Sequence, residues 1–375
     1  MDRCDVLVVG GGPGGSSCAW GLRESGLDVV VLDRVGFPRD KVCAGWITPQ
    51  ICTELDIDPA DYAKERVIQP IRGFSVESSG APPARAEYGE VVSYGIRRCE
   101  FDDFLLRRCA ARLRLGESLR ALRRDAGRWI ANEAISARFL VGAGGHFCPV
   151  ARHLGARPGT QEPTTIVARE VEFEMVPEQL SRCSVSGEVP ELLFEADLRG
   201  YGWIVRKGDW LNVGLGRQDD REFPQHVERF LEGLRRAGRV PPGTPRRLPG
   251  HAYLLYGESE RPLARDGVLL VGDAAGLACG RSGEGIRPAV ESGLLAARSL
   301  GVARAPADAA RAYAAAVVER LGPRHGRKHA GPTDWLPARW RAPAAGRLLA
   351  SPWFVRNVVV GRWFLHRHVP ALAPV

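Results

Sequence analysis

The chain has 375 residues, 45% of them hydrophobic and 26% charged, proportions of a globular protein able to bury at least one large core. Its net charge is +8, yet only four of 52 basic residues are lysine, so the charge reads first as an arginine bias of composition. No run of about 18 apolar residues is present, which excludes a membrane-spanning helix. The nine cysteines are odd in number and have neither C-x-x-C nor metal-ligand spacing, so no metal site is expected and a reduced, cytoplasmic compartment is. The N-terminus enters the first strand within a few residues, so no signal peptide is expected either.

Val6 to Val9 is a short apolar run without alternation, as in a strand buried on both faces of a parallel sheet. Gly10, Gly12 and Gly15 follow in a G-x-G-x-x-G pattern that contains Pro13. The first glycine permits a tight turn, the second lets backbone approach a pyrophosphate, and the third lets the next helix pack close. That helix is expected over about Gly14 to Ser25, with free N–H groups aimed at phosphate and Gly26 as its stop. Val29 to Leu32 reads as a second buried strand. Asp33 ends it, placed to accept from ribose hydroxyls. Strand, turn, helix and acid together predict a dinucleotide site.

Next comes a loop, Phe37 to Trp46, at the end of the second strand, where ligands lie in open α/β sheets. Arg39 and Lys41 are candidates for phosphate or cofactor. Cys43 is either a proton donor or a small buried residue. Residues 66 to 96 alternate weakly and read as strands of a different, antiparallel sheet. Arg98 precedes an amphipathic helix around Phe101 to Leu106. Ile130 to Ser136 and Arg138 to Val141 read as strands, the latter followed by the glycine turn Gly142 to Gly145.

Ile166 to Met175 and Leu192 to Asp197 alternate. Trp203 to Val205 and Leu211 to Leu215 flank the turn signal Lys207-Gly208-Asp209. A helix is expected over about Pro224 to Ala237. Val268 to Val271 is a further buried strand, followed by Gly272 and Asp273. Ser282 to Ile286 then opens a helix that runs to about Leu300. Three separated strand–turn units thus point at one ligand, with antiparallel structure inserted between them.

This order of pieces resembles the flavoprotein monooxygenase and geranylgeranyl reductase superfamily over about residues 4 to 300. Gly10-x-Gly12-x-x-Gly15 with Asp33, Arg98 before Phe101-Asp102, and Gly272-Asp273 with Gly283-x-Gly285 carry the resemblance. It implies FAD, with the glycine turn (Pro13 and Gly14 included), Asp33, Arg34 and Arg98 at the ADP half. Lys41 is implied on the cofactor loop and Asp273 near the ribityl-pyrophosphate. Gly283, Gly285 and Ile286 are implied at the isoalloxazine. A helix N-terminus there favours the reduced flavin anion by about 0.3–1 kcal/mol where exposed.

Within the superfamily the geranylgeranyl reductase branch is the nearer match. Phe37 to Gly45 resembles its loop, and Tyr201-x-Trp203 with Lys207 resembles its Y-x-W-x-F-P-K pocket motif. Val205 and Arg206 stand where that motif has Phe and Pro. Gly280 replaces a usual Pro, and Gly144 replaces the Asp of an A-D-G turn in hydroxylases. The loop continues as Cys43-Ala44-Gly45 rather than the G-E-S of flavin-dependent halogenases.

The fold class that follows is α/β. A Rossmann-like FAD-binding domain (1–65, 97–158 and 250–304) carries an inserted antiparallel-sheet substrate domain (66–96 and 159–249) and a helical basic tail (305–375). The resemblance implies reduction of carbon–carbon double bonds in an apolar substrate, isoprenoid or polyketide-like. Cys43 is the proton donor in this reading, and Trp46, Tyr201 and Trp203 line the pocket. A monooxygenase using the same site and a non-catalytic electron carrier are the alternatives. With one complete fingerprint, NAD(P)H would visit transiently, or a separate carrier would supply electrons.

The tail holds 11 Arg plus Lys against three acids, and four of the nine Trp. Three readings compete: helices packed on the catalytic part, an anionic membrane surface (hence peripheral membrane association), or a dock for an acidic carrier protein. No nucleic-acid-binding module accompanies the charge, so nucleic acid is not expected.

Overall fold

The computed structural model describes residues 1–78, 82–156, 165–218, 222–324 and 338–373, with backbone alone for 338–343. The expected boundary at 158 and 159, and Arg327, Lys328, Asp334 and Trp335 of the tail, lie outside the described residues. So do the side chains of Arg339, Trp340 and Arg341.

Asp2–Val9 is the centre of a parallel sheet. Ile135–Gly142 lies on one side and Val29–Asp33 on the other, with Val6 opposite both Phe139 and Val29. Val268–Leu270 and Arg112–Leu115 extend the two flanks. The central strands are buried on both faces, which is why they read as unbroken Val/Leu runs. The first helix is Pro13–Gly21, shorter than expected, because residues 22 to 25 close as turns before Gly26 at φ +74°. Helix Ile286–Val302 crosses it at backbone contact: a Cβ on Gly293 would lie 2.2 Å from the Gly14 carbonyl oxygen.

The strand pair expected around residue 137 breaks earlier. Arg128–Ala131 and Ile135–Gly142 are antiparallel, joined by a turn with Asn132 and Glu133 at φ 51° and 52°. The Asn132 amide oxygen takes the N–H groups of Arg120 and Ala121, a local reward for left-handed backbone at that position.

The second sheet has seven strands. Thr165–Glu174, Trp210–Arg217 and Gly200–Lys207 form its antiparallel centre, and Gly208 at φ +59° makes the expected tight hairpin turn. The sheet is not wholly antiparallel, since Glu191–Phe194 pairs parallel with Gly73–Ser78. Gly250–Leu254, expected with the nucleotide-binding part, pairs instead with Thr165–Glu174 at the sheet edge. Trp46–Ile47, Ile68–Ile71 and Ser93–Ile96 form a small third sheet.

The second sheet is covered on both faces. Strand alternation sends Ile204 and Val213 toward helix Phe223–Arg236, and Trp203 and Val205 toward the other side. That other side meets the tail. Val355, Val359, Val360 and Phe364 share a core with Phe74 and Val76, and the Tyr88 hydroxyl donates to the Arg356 carbonyl. Packing therefore accounts for this stretch of the tail. Several tail arginines are likewise paired: Arg320 with Glu291 at 2.6 Å, Arg367 with Glu90 at 2.6 Å, and Arg324 with the Ala275 carbonyl at 2.5 Å. Among the described residues no helix is long and apolar enough to cross a membrane.

Candidate active site

One cavity of about 580 Å³ runs from the glycine turn to the aromatic face of the second sheet. At one end lie Gly10, Gly12, Pro13 and Gly14, with Asp33 from the end of the second strand and Arg34 just after it. Gly15 is not on the wall. It backs the turn, where a Cβ would lie 1.9 Å from the Gly10 carbonyl oxygen. Gly10 itself holds φ +115°, and a Cβ there would lie 2.3 Å from the Ala143 carbonyl oxygen. Asp33 braces the turn: its carboxylate accepts the Gly11 N–H at 2.7 Å and the Val35 N–H at 3.1 Å.

The middle of the cavity is charged. The Lys41 ammonium lies 2.8 Å from His251 Nε2 and 2.9 Å from Nδ1, and His251 Nε2 is 3.3 Å from Asp273 Oδ2. Burial pulls Lys41 down to about 8 against the opposing pull of Asp273. Burial also works against the charge of Asp273, but the His251 bond and the neighbouring positive groups outweigh it and hold the carboxyl at about 2. His251 is itself lowered, by burial first and then by Lys41. Arg98 is buried and grips Asp102 through two bonds of 2.9 and 3.0 Å, with Arg39 3.5 Å from the same carboxylate.

At the far end Gly283, Gly285 and Ile286 meet Cys43, Trp46, Tyr201 and Trp203. The Tyr201 hydroxyl donates to the Ser282 carbonyl, tying the pocket motif to the start of helix Ile286–Val302. Its ring stands edge-on to Phe364 of the tail at 5.3 Å. Cys43 is held through its backbone. Its N–H donates to Glu170, and its carbonyl accepts from Asn212 Nδ2 at 3.1 Å. Asn212 in turn accepts from Trp203 Nε1 at 2.7 Å. Behind them the fully buried Lys207 ammonium lies 2.7 Å from Glu172. Burial raises Glu170 to about 8, Lys207 opposing and Glu172 adding.

The cavity fits FAD on its own geometry. A Cβ on Gly12 would meet only Arg39 Nη2, at 3.4 Å, so this face of the turn is bare where a pyrophosphate must approach. Helix Pro13–Gly21 has no side-chain cap, which leaves first-turn N–H groups for an anion, while at helix Ile286–Val302 the N-cap Gly285 offers no side chain and Glu284 takes the Arg287 N–H alone.

His251, Tyr253, Glu170 and Asn212 were not singled out from sequence. Their one signal is period-2 placement: Ala168, Glu170 and Glu172 share a strand face, as do His251 and Tyr253. Polar residues on a half-buried strand carry no mark of which neighbour they will meet.

Comparison with known proteins agrees with this geometry. The model of the NAD(P)-binding Rossmann-like domain matches residues 8–38. The menaquinone reductase of Mycobacterium tuberculosis is 30% identical over 350 residues, 86% of this chain and 81% of that one. Digeranylgeranylglycerophospholipid reductase 1 of Methanopyrus kandleri is 30% identical over 310 residues, 78% of this chain and 79% of the other. A geranylgeranyl bacteriochlorophyll reductase-like structure from Thermoplasma acidophilum shares the fold, with a TM-score of 0.75 over 98% of both chains at 20% identity. The chain belongs to the geranylgeranyl reductase family of FAD-dependent oxidoreductases.

Proposed function

We propose that the protein reduces carbon–carbon double bonds of an apolar, isoprenoid-like substrate, with Cys43 as proton donor. One observation carries this reading. Cys43 sits where the cofactor-side wall of the cavity meets Trp46, Tyr201 and Trp203, its peptide fixed on both sides by Glu170 and Asn212. The glycine turn, Asp33, Arg34, Lys41, Arg98 and Asp273 hold FAD in this reading, and Gly283 to Ile286 face its ring. Bound there and reduced, FAD supplies the hydride. The protein's own part is to bind the apolar chain against aromatic rings, exclude water, and hold a proton at Cys43 Sγ. The names of the two relatives, a menaquinone reductase and a digeranylgeranylglycerophospholipid reductase, support this substrate class.

NAD(P)H acts as a visiting reductant in this proposal, since the sequence carries one complete glycine fingerprint. The work is cytoplasmic. The outer face of the tail, with Trp353, Arg356 and Arg362 exposed, meets the source of the apolar substrate, an anionic membrane or an acidic carrier. The test is anaerobic incubation of the dithionite-reduced protein with a menaquinone and with a geranylgeranyl lipid, read by mass spectrometry. Gain of one hydrogen molecule in the isoprenoid chain, distinct from the quinone-to-quinol change of the ring, without oxygen supports reduction. Product formed only after air is admitted assigns the site to oxygenation instead.

A further inference from the structure

We propose that Cys279, Glu284 and His366 form a binding site for a divalent cation of the zinc type. The site lies beside the flavin-side wall and joins the end of the tail to it. One ligand atom from each of the three residues lies within 4.8 Å of the other two. Sulfur, oxygen and imidazole nitrogen together suit zinc better than the oxygen-seeking cations.

The loop that carries two of the ligands is pinned before any metal arrives. Cys279 N–H donates to the Glu284 carbonyl at 2.8 Å, and Gly283 N–H returns to the Cys279 carbonyl at 2.8 Å. Glu284 Oε1 accepts the Arg287 N–H at 2.7 Å. Oε2 accepts from the Cys279 thiol at 3.7 Å. The third ligand comes from the far end of the chain. Among the described residues His366 Nε2 is buried without a hydrogen-bond partner, a cost that a metal bond would remove. Its backbone sits at φ 45°, in the left-handed region that a histidine adopts only under constraint.

The buried Arg287 is a positive group close by. Its charge is answered by Glu291 at 2.7 Å, and its Nη2 donates to the Val369 and Pro370 carbonyls. Three protein ligands leave a fourth position open, as in zinc sites that keep a water. Binding forms a zinc–sulfur bond as the thiol proton leaves to solvent, with no change of oxidation state. The metal would staple the strap after Phe364 to the loop before helix Ile286–Val302.

The test is independent of turnover, so its failure leaves the reductase reading intact. FAD-loaded full-length protein is incubated with zinc chloride, gel-filtered and assayed by atomic emission. One zinc per chain is expected. Cobalt(II) in its place should give a thiolate charge-transfer band. Cys279→Ser and His366→Ala should each weaken retention by at least about 100-fold, the upper end of the loss from removing an outer-shell partner. Cys99→Ser, at a half-buried cysteine elsewhere, should not. FAD content and metal-free melting temperature show whether each variant has folded. Should the variants misfold, cobalt added to wild type decides through the band alone. No zinc on the folded wild type, no thiolate band, or equal zinc on folded His366→Ala overturns the proposal.

Discussion

Glu170 accepts the backbone N–H of Cys43, so a carboxyl on the second sheet fixes a residue on the cofactor loop. Burial raises that carboxyl to about 8 from its usual 4.5. Between those two values the folded chain binds a proton that the unfolded chain has released. Its stability contribution is therefore present below the unfolded value and lost as pH rises through the folded one. Glu170→Gln cannot ionise, so it should gain stability relative to wild type as pH rises from about 5 to about 8. Urea unfolding of both proteins at the two ends of that range measures this. A constant difference would mean that Glu170 is already ionised in the fold.

Gly12→Val should yield colourless protein. The bare face of the turn would then hold a branched side chain where the pyrophosphate must lie. Visible absorbance of the purified variant, with circular dichroism to show folding, checks this. A yellow variant with full FAD content would contradict the placement of the ADP half.

Cys43→Ala should keep FAD and slow oxidation of the reduced flavin by substrate by about 10²–10⁴-fold, the usual share of a positioned general acid. Stopped-flow single turnover separates this step from flavin reduction. An unchanged rate would remove Cys43 from the chemistry and leave it as a wall residue.

Phe364→Ala should destabilise the protein by about 3–5 kcal/mol, the range for a buried aromatic truncated to alanine. Phe364 is fully buried and touches both Trp46 and Tyr201, so the loss should also loosen the aromatic wall. Denaturation midpoints give the first effect, and the spread of accepted chain lengths gives the second.

Vesicles containing anionic lipid should pellet the protein at low salt and release it at high salt. Each exposed Arg near the surface contributes about 1 kcal/mol. Trp353→Ala should weaken the attachment, because Trp353 is 69% exposed. An acidic carrier titrated under the same conditions separates the two partners. If neither binds at low salt, the tail's role is packing alone.

The cofactor half of the site was legible because its determinants are local. A turn that needs φ +115° at Gly10 and a helix packed on Gly15 leave their mark within six residues. The substrate half was half-legible: Tyr201 and Trp203 announced a face, but not Glu170, Asn212 or His251, which meet Cys43 and Lys41 only through strand pairing. The tail was legible only as alternatives. Its arginine count left packing, a membrane and a carrier open, and in the fold Arg320, Arg324 and Arg367 pair with Glu291, backbone carbonyls and Glu90. Counting charges says nothing of where the opposite charge will fold.

The contact of Gly293 with the Gly14 carbonyl has a metrical consequence. Helices Pro13–Gly21 and Ile286–Val302 both open on the same cavity, one at the glycine turn and one beside Gly283 and Gly285. Their crossing is a fixed pivot, backbone against backbone with only Ser17 Cβ beside it. The span between the two anchoring points is thus set by backbone touching backbone, as a caliper is set by its rivet. Even one added methyl at position 293 would reopen the caliper and change the length of ligand that both ends can hold at once.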